Sequence, residues 1–170
     1  MRLYSGKINA LSEELVHALV EGKDIECESK PEVARDLESV FANYLEMDRQ
    51  ATEKAKDALQ ARGMPQSEFP RLRKLAAEQK GIKVGDEMFD FLLDQVIEML
   101  MHSNNVEEVY ASDNVLRSKI HVIMKKHLDV DDEIDKEARS RLKHLQEGTS
   151  AFDIEYNKTV EQIRRARGLI

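Results

Sequence analysis

The residues able to do chemistry are few and scattered. The densest carboxylate run is Asp129, Asp131, Asp132, Glu133 and Asp135. A calcium loop gathers oxygens from such a run, but one opening at Asp129 needs Gly at its sixth place and Glu at its twelfth. Those places hold Ile134 and Ser140, so the run reads as a helix start, where the macrodipole favours negative charge. Glu14 and His17 have the spacing of one di-iron ligand pair; a working site needs a second pair and two more inward carboxylates, and the sequence has no second pair. At 100° per residue His17 lies opposite the stripe of Ile8, Leu15 and Leu19 and faces water. Glu98 and His102, four apart, read as a surface pair near a helix end. His127 falls on an apolar seam and reads as a satisfied, half-buried histidine rather than a base. Cys27 sits in Asp24-Ile25-Glu26-Cys27-Glu28, where neighbouring negative charge raises a thiol pKa and blunts its reactivity. No glycine-rich phosphate loop is present. No catalytic residue, metal site or cofactor is expected.

Two basic groups remain: Arg71, Arg73 and Lys74, and Arg164, Arg165 and Arg167. The plain reading is solvated helix charge, and the second group also suits a helix C-terminus. Both groups are candidate contacts for an acidic partner or for nucleic acid. No aromatic residues interleave with them, which weakens a stacking platform for single strands. Whether they form one patch or two stays open at this level.

These residues must be positioned by helices. The chain has 170 residues, 35% charged and 41% hydrophobic, with 7 Gly, 3 Pro and no Trp. That composition carries too much apolar content for a disordered chain and too few breakers and aromatics for a β-sandwich. Ile8, Leu11, Leu15 and Leu19 mark a first helix stopped by Gly22. A long seam follows through Val33, Leu37, Val40, Tyr44, Met47, Ala51, Ala55 and Ala58, near coiled-coil spacing, with Pro31 in its first turn and Ser29 upstream as a cap. Pro70 opens a short helix with Leu72, Leu75 and Ala76 inward, ended by Gly81. Asp86 is the expected cap of a fourth helix, whose wide stripe from Met88 to Met101 places it nearest the centre. A further seam runs from Leu116 through Ile120, Ile123, His127, Val130, Ile134, Ala138 and Leu142 to Leu145. A last helix spans about Phe152 to Arg167, capped by Thr149 or Ser150. No segment alternates as a strand does.

The two halves are alike. A shift of 81 lays Leu15-Val16 on Val96-Ile97 and Leu19 on Leu100; a shift of 83 lays Val33 on Leu116, Leu37 on Ile120, Asp48 on Asp131 and Leu59 on Leu142. We read a tandem duplication, with 1–85 as first helical repeat and 86–170 as second, packed as one unit. The expected fold is an all-α, pseudo-symmetric helical bundle of two similar three- or four-helix halves. Each long helix either breaks, with Asp48 and Asp131 capping the second piece, or runs on with a surface Asp.

Met1-Arg2-Leu3, Lys7-Ile8-Asn9-Ala10-Leu11, the segment Leu128 to Asp135 and the segment Gln146 to Tyr156 resemble a bacterial family catalogued as domain of unknown function 507. The resemblance is strongest at the two ends. The middle, from about 63 to 90, departs from the family's short form, which joins an opening like this to an ending like this. The resemblance implies a small helical cytosolic protein and brings no activity, cofactor or site residue.

The net charge of −7 disfavours general nucleic-acid binding. No signal peptide opens the chain, and the stretch Met88 to Met101 is too short and polar to cross a bilayer. The expectation is therefore a cytoplasmic, non-enzymatic adaptor or assembly factor that presents helix surfaces to a protein partner. An RNA- or ribosome-associated factor using the basic groups is the alternative. The duplication further implies a monomer that carries an internal pseudo-dimer.

Overall fold

The computed structural model describes residues 1–170. A 3-10 turn at Ser5–Lys7 leads into α1 (Ile8–Glu21), a two-residue strand β1 (Ile25–Glu26), the long α2 (Lys30–Arg62) and α3 (Phe69–Gln79). A second 3-10 turn at Gly85–Glu87 leads into α4 (Met88–His102), β2 (Glu108–Val109), α5 (Asp113–Leu128), α6 (Asp131–Arg141) and α7 (Ser150–Ala166). The all-α bundle is as expected.

α1 and α4 each pack against both α2 and α5. These four helices bury one cluster of 28 residues, joined by Leu3, Ile25, Ala76 and Ala77 of α3 and the Ile82–Val84 turn. Leu92, Val96 and Leu100 of α4 are buried within it, as the width of their stripe requires. Two smaller clusters flank the core. Ala55, Leu59 and Leu72 join the end of α2 to α3. Tyr4, Ile134, Ala138, Val160, Ile163 and Leu169 join α6, α7 and the two chain ends.

Several local expectations are corrected. β1 and β2 pair antiparallel, Ile25 opposite Val109 and Glu26 opposite Glu108. Two residues per strand are too few for alternation to register. The buried line of α2 runs Val33, Leu37, Phe41, Tyr44, Ala51, Ala55 and Leu59, and Met47 is exposed. A straight helix of 33 residues drifts from a 3.5-residue seam, so Phe41 and Leu59 turn inward instead of Val40 and Ala58. Leu75 is exposed, and Ala77 takes its place against α2. Asp86 lies inside the 3-10 turn, and Glu87 occupies the N-cap of α4. Ser29 occupies the N-cap of α2 without a side-chain bond. Thr149 caps α7, its Oγ1 accepting from Phe152 N–H at 3.2 Å.

The helix break is asymmetric. α2 runs unbroken through Asp48, whereas the second half breaks at Asp129–Val130 and restarts at Asp131. Asp131 does not cap α6; its Oδ1 accepts the Tyr4 hydroxyl instead.

Candidate functional site

The six basic residues divide by what they touch. Arg71 pairs with Glu68 at 2.7 Å on the surface, and Lys74 lies 3.9 Å from Glu87. Arg165 pairs with Glu161 one turn away. Arg167 reaches across to α6, 3.2 Å from Glu133 and 2.7 Å from Glu137. These four spend their charge on neighbouring carboxylates. Arg73 and Arg164 are different: both are largely covered, and both line one pocket.

That pocket, of about 470 Å³, lies where α2 and α3 of the first half meet α6 and α7 of the second. The N-terminal segment forms a further wall, its Arg2 N–H donating to Leu128 O at 3.0 Å. Arg73 Nε and Nη2 donate to Asp48 Oδ1 at 3.0 and 2.6 Å. Arg164 stands 3.7 Å from Asp131 Oδ1. The Asp pair related by the shift of 83 thus faces one space, each Asp beside an arginine from the last helix of its own half. The Arg2 and Arg164 guanidiniums lie 5.0 and 5.5 Å from the centre of the Tyr4 ring, within cation–π range. Burial, then the Asp131 carboxylate, pushes the Tyr4 hydroxyl pKa up, so the phenol remains a donor. Tyr44, on the pocket wall, donates to Lys83 O at 2.9 Å, and burial raises its pKa as well. Leu3, Leu45, Phe69 and Met88 supply apolar surface.

The family model described as Protein of unknown function (DUF507) matches residues 1–169. The chain belongs to this family. One match spans both halves, the middle included. No curated protein matches the chain.

Within this DUF507 chain the other candidate groups stay apart. No three His, Cys, Asp or Glu side chains converge as metal ligands. His17 is exposed, as expected. Glu98 and His102 show no hydrogen bond to each other, in contrast to the expected pair. His127 is buried rather than half-buried; its Nε2 lies 2.6 Å from Glu14, and its Nδ1 has no partner. The Cys27 thiol pKa is raised, chiefly by burial, with Glu107 contributing less.

The sequence reading missed Arg2, Tyr4 and the role of Asp48. Arg2 and Tyr4 precede the first helical period, so spacing gives them no face. Asp48 carries a signal as the counterpart of Asp131 under the shift of 83, but spacing leaves it either a cap or a surface Asp.

Proposed function

We propose that this chain is a non-enzymatic, cytoplasmic adaptor or assembly factor that holds a protein partner at the pocket between its halves. The observation that carries this reading is the pocket itself. Arg73 and Arg164, from opposite halves, open onto one space with both polar and apolar walls, the mixture a peptide segment needs. A duplication read from the sequence supports it too: the order helix, short strand, long helix, helix of the first half is met again in the second with α5 and α6 in the place of α2, and α1 and α4 each pack against α2 and α5. One Asp–Arg pair from each half meets at this one place.

RNA association ranks below this reading. Arg71, Arg165 and Arg167 are neutralised where they sit, and a net charge of −7 opposes a polyphosphate.

A photo-crosslinking residue placed at Thr52, on the pocket wall, and a second at Ser118, on the exposed face of α5, test the proposal inside cells. A discrete protein adduct at Thr52 and none at Ser118 is expected. Nucleic-acid adducts, or equal adducts at the two positions, would contradict it.

A further inference from the structure

We infer that the pocket is a carboxylate site, in which Arg2 and Arg164 receive an acidic side chain from a short peptide segment of the partner. This rests on the protein-partner reading and names the chemistry that the partner brings.

The three guanidiniums of the pocket are unequally satisfied. Arg73 gives two donors to Asp48. Arg164 gives none at hydrogen-bond distance: Asp131 is 3.7 Å away, its Oδ1 is taken by the Tyr4 hydroxyl, and Arg164 Nε is buried without a partner. Arg2 makes no ion pair and touches only the Tyr4 ring through its guanidinium. Guanidinium N–H donors without an acceptor are costly where water is excluded, so an oxyanion that accepts from the end groups of Arg2 and Arg164 recovers that cost. Guanidinium matches a planar carboxylate through two parallel N–H···O bonds.

Charge selects the class of anion. Among the side chains, Arg2, Arg73 and Arg164 stand against Asp48 and Asp131, an excess of one positive charge that a single carboxylate balances. A phosphate dianion brings a second negative charge beside two carboxylates already in place. Asp48 Oδ2 accepts no hydrogen bond and is free for a peptide N–H, which phosphate lacks. Leu3, Leu45, Phe69 and Met88 suit aliphatic neighbours of the acidic residue. A volume of about 470 Å³ fits a few residues, not a folded surface.

The test is an amide-shift titration of the full chain with three probes: the capped pentapeptide ALELA, its counterpart ALQLA, and inorganic phosphate. ALELA is expected to shift Leu3, Tyr4, Asp48, Asp131 and Arg164 saturably, at least about ten-fold more tightly than ALQLA or phosphate. Arg2→Glu should abolish that difference without unfolding, since Arg2 holds no ion pair, and Arg164→Lys should weaken it. Equal binding of ALELA and ALQLA, tighter phosphate binding, or shifts confined to other surfaces would overturn the site. A Thr52 protein adduct in cells with no ALELA response removes the carboxylate site and leaves the partner reading standing. An ALELA response without any protein adduct does the reverse.

Discussion

Arg73 and Arg164 line one pocket from opposite halves, yet one is held by its aspartate and the other is not. The difference arises from Tyr4, which takes Asp131 Oδ1 and leaves Arg164 with unspent donors. Pairing of another kind joins α1 to α5. Glu14 Oε1 accepts from Lys126 at 2.9 Å, and Glu14 Oε2 lies 2.6 Å from His127 Nε2. Lys126 first, and His127 second, hold the Glu14 carboxyl below its ordinary pKa. A lowered folded-state pKa contributes stability above the unfolded value, and that stability is lost as pH falls through the folded one. Glu14 is about a third exposed, so screening limits the contribution. Glu14→Gln should cost about 0.5–1 kcal/mol at pH 7. The cost should shrink as pH falls below about 4.5, read by urea unfolding across pH. A cost that is constant with pH would contradict the charge assignment. The inward place of His127 was legible from the seam, but its partner lies 113 residues away, beyond any local spacing rule.

Helix existence was legible because each amphipathic stripe repeats over several turns, as in α1 and α4. Helix continuity was not, because the same motif stands at Leu45–Asp48 and Leu128–Asp131 with different outcomes. What differs is the neighbourhood: Arg2 N–H binds Leu128 O, and Tyr4 binds Asp131, only at the second place. The segment before α1 is itself held by the last turn of the chain, Gly6 N–H donating to Leu169 O at 3.1 Å. A Cβ on Gly6 would stand 1.7 Å from Gly168 O, a backbone atom that cannot swing aside. Gly6→Ala should therefore cost at least about 1–3 kcal/mol. The weakened bond should show as faster amide exchange in residues 2–6 and 168–169. An unchanged melting temperature with unchanged exchange would show that the ends do not meet as described. The fold thus ties the two ends of the chain to each other.

Across the whole molecule, the four central helices share one buried cluster drawn from both halves. If the halves descend from a pair of like chains, the interface such a pair needs is already satisfied within one chain. Light scattering in dilute solution should give a mass near 19.5 kDa; twice that mass would contradict the proposal. The all-α bundle was legible in the sequence. The pocket was not, because Arg2, Asp48, Arg73, Asp131 and Arg164 lie in five separate segments that only the packing of the helices assembles. The central claim is that partner binding depends on this pocket and not on the exposed arginines. The most direct measurement compares the Thr52 protein adduct in cells for Arg2→Glu, Arg71→Glu and Arg165→Glu, with melting temperatures recorded for each. Arg2→Glu should lose the adduct while Arg71→Glu and Arg165→Glu keep it, all three remaining folded. Loss with Arg71→Glu or Arg165→Glu, and retention with Arg2→Glu, would contradict it.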